Sequence, residues 1–233
     1  MGGPETPDGL ELRSFGRRHG RKFSASQERL LAEDLPRVAI DLNTAAPGQA
    51  SGLFGAPVRE VWLEIGFGGG EHLIWQAESH PDVGLIGCEP YLDGVVKVLA
   101  AVQSRKLDRI RLHADDARPL LRWLPESSIS RAFVLFPDPW PKARHHKRRL
   151  ISPAMVDALA RVIRPGGQLR IATDIGDYAR TALLAMVGSP DFHWLAGSPA
   201  DWRVRPADWP QTRYEQKAAA AGRRCYYLRF ERI

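Results

Sequence analysis

The sequence predicts an α/β protein built on an open, doubly wound, mostly parallel sheet, and three observations carry that expectation. Five short apolar runs lack strict polar alternation, as strands buried on both faces do. Segments of helical length or nearly so separate these runs, giving the repeated βα order of a parallel sheet. A glycine cluster follows the first run, at the point where such a sheet turns into its first helix.

The elements follow in order. With 233 residues the chain has room for one domain of about 200 residues and an arm. Residues 1–23 are rich in Gly, Pro and Arg without hydrophobic period and read as a flexible arm, leaving 24–233 as a single domain. Ser24 with Gln27 makes a capping box that opens a helix from about Ser26 to Val38. The stretch TAAPGQASGLFGAP at 44–57 is a loop by composition. The expected strands are VWLEI (61–65), VGLIGC (83–88), IRLHA (110–114), AFVLF (132–136) and QLRIAT (168–173). GEHLIWQAESH, DGVVKVLAAVQSR, RPLLRWL and PAMVDALARVI are the helical segments between them, and RCYYLRFERI reads as a final, antiparallel strand at the sheet's far side.

Hydrophobic residues at 44% and charged residues at 26% exclude a disordered chain, a collagen repeat and a disulfide miniprotein. Cys88 and Cys225 stand in no metal-ligand spacing, so neither a zinc site nor a disulfide framework is expected. No apolar run approaches the roughly 20 residues that span a bilayer, and MGGPETPDGL lacks the order of a secretory signal. A cytoplasmic protein is expected. The net charge of +6 is unevenly spread. RSFGRRHGRK at 13–22 and KARHHKRR at 142–149 hold ten of the 33 basic residues and no acid, so the rest of the chain is net acidic. Two such runs favour a polyanionic partner, since phosphate neutralisation releases condensed counterions; the competing reading is a pair of solvated basic loops.

In doubly wound sheets the ligand sits beyond the carboxyl ends of the strands. The first strand ends in LEIGFGGGEHL, where Gly66 and Gly68 let the backbone approach a ligand. A dinucleotide fingerprint would need glycine at 71, which is Glu71. Glu64, just before the loop, instead suits a ligand with a cationic amino acid end. Glu89 ends the second strand about 20 residues on, where an acid accepts ribose hydroxyls. Asp116 ends the third strand and suits an adenine amino group, with Asp115 as an alternative occupant. A nucleoside with a positive tail is the description of S-adenosyl-L-methionine. Each acid taken singly also fits a helix N-terminus stabilised by the macrodipole, Asp116 most of all.

AFVLFPDPWPKARHHKRRL is the most informative segment. Pro137, Pro139 and Pro141 restrict the backbone and should fix Asp138 and Trp140 in an extended loop. A carboxylate and an indole at a strand's carboxyl end, followed at once by five cations, join a reaction centre to a phosphate-binding strip. Trp140 could stack on a flipped base while Asp138 hydrogen-bonds its edge; the alternative is a rigid turn with Trp140 in the core.

With these residues in view, the sequence resembles the bacterial tRNA (guanine-N7)-methyltransferases, S-adenosylmethionine-dependent enzymes of the Rossmann-like class I fold. The resemblance runs from RRHGR in the arm to the C-terminal FER, and FPDPWPKARHHKRR, ATD at 172–174 and TRYE at 212–215 are its most specific pieces. It implies that Glu64, Glu89, Asp116 and Asp138 line the cofactor site, with Asp138 catalytic. It further implies that Lys142, Asp174, Thr212, Arg213, Tyr214 and Glu215 contact the substrate. Arg144, Lys147, Arg148 and Arg149, in the basic segment that also holds His145 and His146, would meet tRNA. The implied target is the guanosine at position 46 of the variable loop, and a monomer that needs no metal is expected. The chain departs from many relatives in placing QK after TRYE, where they have an arginine.

Guanine N7 carries an in-plane lone pair and no hydrogen, so its methylation needs no general base. Positive charge grows on the purine instead, and a preorganised carboxylate stabilises it. Three alternatives compete. An amino-directed RNA or DNA methyltransferase shares a faint likeness in DPW but needs a second adjacent proline. A dinucleotide oxidoreductase is opposed by Glu71. A non-catalytic RNA-binding module leaves Asp138 and the strand-end carboxylates without a purpose.

Overall fold

The computed structural model describes residues 18–20 and 22–233, so most of the expected arm lies outside the described residues. The chain runs α1 (Ala25–Arg29), α2 (Leu35–Val38), β1 (Glu60–Ile65), α3 (Glu71–Ser79), β2 (Val83–Cys88), α4 (Leu92–Arg105), β3 (Ile110–His113) and α5 (Ala117–Trp123). It continues β4 (Ile129–Leu135), α6 (Pro153–Val162), β5 (Ile163–Thr173), α7 (Gly176–Val187), β6 (Phe192–Trp194), α8 (Ala200–Arg203), α9 (Arg213–Ala220) and β7 (Tyr226–Arg232).

The seven strands lie in the order β3-β2-β1-β4-β5-β7-β6. The first five are parallel, and β7 pairs antiparallel with both β5 and β6. The expected final strand is therefore antiparallel but inserts inside β6, a three-residue edge strand too short to announce itself in the sequence. The order in which strands are added reverses between β1 and β4, the topological switch point where a crevice opens. Alternation along the strands divides the core. Val61, Leu63 and Ile65 join a cluster with α5, α6 and α7 residues such as Leu120, Leu159 and Tyr178. Trp62 and Phe133 join Leu73, Val95 and Leu99 from α3 and α4 on the other face.

The predicted capping box is present: Ser24 accepts from the Gln27 N–H, and Gln27 in turn accepts from the Ser24 N–H. Pro36 brings no N–H to the helix ladder. The turn before it, Leu30–Asp34, widens to a π-helical turn in which the Leu35 N–H reaches the Leu30 carbonyl. The helix end then lies against the outer edge of β3, where the Ile40 N–H donates to the Leu112 carbonyl at 2.9 Å. The loop at 44–57 contains one 3₁₀ turn, Ala50–Leu53. Among the described residues no helix is long and apolar enough to cross a membrane, and no cluster of His, Cys, Asp and Glu could hold a metal ion.

Candidate active site

At the switch point the turn from β1 into α3 is made by Gly66, Gly68 and Gly70, all left-handed at φ +74°, +55° and +79°. Only glycine adopts this geometry without cost, and a Cβ on Gly66 would meet no atom within 4 Å, so the turn presents bare backbone. Across from it α4 approaches so closely that a Cβ on Gly94 would lie 1.9 Å from the Gly68 carbonyl oxygen. The turn bounds a cavity of about 510 Å³, which also takes in Glu89, Asp116, Asp138 and Trp140. That volume lies within the range of small-molecule sites.

Glu89 is buried and clamped. Its Oε2 accepts from the Gly68 N–H at 2.7 Å and its Oε1 from the Tyr91 N–H at 2.9 Å. Burial pushes its pKa above the ordinary carboxylate value; the two backbone bonds oppose the shift, and the charges of Asp138 and Glu64 add to it. A carboxylate offers about four lone-pair sites, so Glu89 keeps acceptor capacity toward the cavity. Asp116 does two things at once. It caps α5, with Oδ1 accepting from the Arg118 N–H at 2.8 Å and Oδ2 pairing with the Arg118 guanidinium at 2.7 Å, and it still lines the cavity. Asp115 does not line the cavity; it holds Arg18 of the arm.

Glu64 sits one position behind the cavity wall formed by Ile65 and Gly66. Its carboxylate is 3% exposed, and Oε2 lies 2.8 Å from His72 Nδ1. Direct access to a ligand, as expected from the sequence, is therefore restricted by the glycine turn above it. His72 and Gln76 stand four residues apart on one face of α3, a spacing that was legible but pointed to nothing without Glu64 beside it.

The loop after β4 departs from the expected extended course. Phe136 and Trp140 each precede a proline and take positive φ, +52° and +42°, conformations that cost a non-glycine residue about 1–3 kcal/mol each. The Phe136 N–H anchors the loop start to the Ala172 carbonyl at 2.7 Å. Between these two residues Asp138 is exposed at the cavity. Trp140 also lines the cavity rather than the core, with the Arg148 guanidinium 5.0 Å from its ring centre and His145 edge-on at 5.9 Å. Desolvation and the neighbouring cations Arg148, Arg144 and Lys142 hold the His145 pKa below its usual value.

The residues expected to meet RNA divide. Lys142, Arg144 and Lys147 are exposed on a 3₁₀ segment, Ala143–Arg148, and its approach. Arg149 departs from the expected exposed strip: it is 3% exposed and points inward, with its donors directed to the Pro139 carbonyl and to α7. Asp174 pairs with Arg223 at 2.7 Å, away from the cavity lining. Thr212 and Glu215 lie apart from the cavity lining. They are buried and form the reciprocal capping box of α9, and Glu215 Oε1 accepts from the Tyr227 hydroxyl at 2.7 Å. The two residues between them do face the cavity. Tyr214 stacks on Phe136 (6.0 Å, 12°), and Arg213 lies 3.4 Å from Glu71, the residue that breaks the dinucleotide pattern.

A family described as "Putative methyltransferase" matches residues 58–228. The chain is 48% identical to a tRNA (guanine-N(7)-)-methyltransferase of Rhodospirillum rubrum over 98% of its length and 91% of the relative's. It is 48% identical to an enzyme of the same name from a Chelativorans species over 94% of each. In fold it resembles an rRNA methylase from Streptococcus thermophilus, with a TM-score of 0.52 at 12% identity over 76% of this chain and 89% of the other. It also resembles a methyltransferase from Streptococcus mutans in complex with SAH, with a TM-score of 0.51 at 12% identity over 76% and 90%.

Proposed function

The chain belongs to the tRNA (guanine-N7)-methyltransferase family, and from that membership we propose how its own residues carry out the transfer. The protein methylates N7 of guanine in tRNA. We assign the methyl donor as S-adenosyl-L-methionine and the target as the guanosine at position 46, acted on in the cytoplasm by a monomer whose residues 24–233 form one domain behind a basic arm at 1–23.

The observation that carries this reading is a single cavity joining the bare glycine turn, Glu89, Asp116 and Asp138 at the carboxyl ends of successive strands. The cavity fits the donor by its chemistry. Gly66 offers bare backbone facing open space, Glu89 offers acceptor sites for two ribose hydroxyls, and Asp116 lies at the rim for the adenine edge. Glu64 contributes negative potential from beneath the turn, on the side suited to a cationic amino acid end. The chemistry supplied by the bound donor is methyl transfer from a sulfonium, whose thioether leaving group needs no proton.

Asp138 orients the guanine and stabilises the positive charge that grows on it, rather than removing a proton. Trp140 and Tyr214 flank the cavity with aromatic faces on which an extruded base can stack. Lys142, Arg144 and Lys147 hold phosphates, and Arg213 serves the substrate side of the cavity. Most of the rate comes from holding N7 in line with the methyl carbon. The test is methylation of unmodified tRNA with labelled donor followed by nucleoside analysis. Label in 7-methylguanosine at position 46 supports the reading; label on an exocyclic amine, or none, overturns it.

A further inference from the structure

We infer that Arg149 is the positioning residue of the reaction loop: it holds the strained segment that carries Asp138 and Trp140 in place, and it does so from inside the fold. The sequence groups Arg149 with the basic strip, but its guanidinium is buried and touches that strip only at His146. Nε donates to the Pro139 carbonyl at 3.1 Å, the peptide oxygen between Asp138 and Trp140. Nη1 donates to Thr181 Oγ1 at 2.6 Å, and Nη2 donates to Asp177 Oδ2 while lying 3.0 Å from His146 Nε2. Its Cζ sits 5.4 Å from the Tyr178 ring centre. Tyr178 is itself buried and accepts from the Ile151 N–H at 3.2 Å, so the floor beneath Arg149 is rigid.

The loop needs such a clamp. Two non-glycine residues at positive φ enclose Asp138, and nothing in their own preferences keeps them there. One end of the loop is tied to β5 through the Phe136 N–H and the Ala172 carbonyl. Arg149 ties the other end to the first turns of α7, through Asp177 and Thr181, the latter itself bonded to the Asp177 carbonyl at 3.0 Å. A planar fork with five donors can serve a carbonyl, a hydroxyl and a carboxylate together, and a lysine ammonium on a flexible stem cannot reproduce that geometry. The inference rests on the reading of Asp138 as the group that meets the base.

The experiment measures single-turnover methyl transfer to tRNA, KM for each substrate and the salt dependence of tRNA KM for Arg149→Lys and Thr181→Val. A positioning role predicts that Arg149→Lys slows transfer on the order of tenfold or more and Thr181→Val by a smaller factor. Donor KM and the salt slope stay at wild-type values, because no phosphate contact is lost. A flattened salt slope in Arg149→Lys makes the residue an RNA contact and overturns the inference. So does a wild-type rate in a folded Arg149→Lys protein. Where Arg149→Lys does not fold, Thr181→Val decides, and an unchanged rate there overturns it. Absence of transfer by the wild-type enzyme would instead count against the functional reading itself.

Discussion

His72 Nδ1 lies 2.8 Å from Glu64 Oε2, and both side chains are buried directly beneath the glycine turn. The wider pattern fixes which proton sits between them. Gln76 Nε2 lies 3.0 Å from His72 Nε2 and 3.3 Å from the Asp208 carbonyl oxygen. A carbonyl accepts only, so the Gln76 amide nitrogen must face it. His72 Nε2 is then an acceptor, and Nδ1–H donates to Glu64. A chain of four residues thus links β1 under the glycine turn to the segment that precedes Arg213 and Tyr214.

Removing the imidazole leaves a buried carboxylate without its donor. His72→Leu should lower stability by about 3 kcal/mol or more, while His72→Asn, which keeps an N–H near the Nδ1 position, should recover much of the loss. Urea denaturation measures both. A His72→Leu protein within about 1 kcal/mol of wild type would contradict this account of the pair, since that is the size of an ordinary neutral hydrogen bond.

Glu89 should control donor affinity and its pH dependence. Glu89→Ala removes a charged acceptor of two hydroxyls and should weaken binding by roughly 1.5–3 kcal/mol. Burial raises the Glu89 pKa above its ordinary value. Protonation converts an acceptor oxygen to a donor, so affinity is full at neutral pH and falls as the pH drops through the raised value. The loss begins at a higher pH than for an exposed glutamate, and Glu89→Gln should abolish that limb. Calorimetry across mildly acidic pH checks it; an affinity flat in wild type down to the ordinary glutamate range would contradict the assignment.

The fold was legible because each strand is a run of apolar residues ended by a turn, and the constrained loop after β4 because prolines and cations are dense in FPDPWPKARHHKRR. Side-chain direction was not legible. Arg148 and Arg149 are adjacent in sequence, yet one lies over Trp140 at the cavity and the other turns into the fold toward α7. In the same way TRYE reads as four contacts, while the helix start it encodes turns Thr212 and Glu215 inward as a capping box and leaves Arg213 and Tyr214 facing the cavity. The prolines restrict the loop, but the positive φ of Phe136 and Trp140 is accompanied by tertiary hydrogen bonds involving Ala172 and Arg149 that no local rule supplies. The short β6 lacked enough residues to show a pattern.

The exposed cations should act on tRNA alone. Replacing Arg144 and Lys147 by alanine should raise tRNA KM and reduce the steepness of its salt dependence, by about 0.7–0.9 per lost phosphate contact. Donor affinity should be unchanged. Measuring tRNA KM at several salt concentrations tests this, and a slope equal to wild type would remove both side chains from the RNA interface.

Thr212 should behave as a cap. Thr212→Ala should cost about 1 kcal/mol of stability, the usual value for a lost N-cap, and leave the salt dependence of tRNA binding unchanged. Chemical denaturation alongside tRNA titration distinguishes the roles: a stable variant with weakened tRNA binding would make Thr212 a substrate contact after all.

The central claim is that the Asp138 carboxylate stabilises charge growing on guanine. Asp138→Asn keeps the size and one acceptor oxygen of the side chain but removes its charge. The decisive measurement is the single-turnover rate of methyl transfer by Asp138→Asn with saturating tRNA and donor. The account predicts a fall on the order of 100-fold or more with a much smaller change in tRNA affinity. A rate close to wild type would contradict it and reduce Asp138 to a residue of the turn.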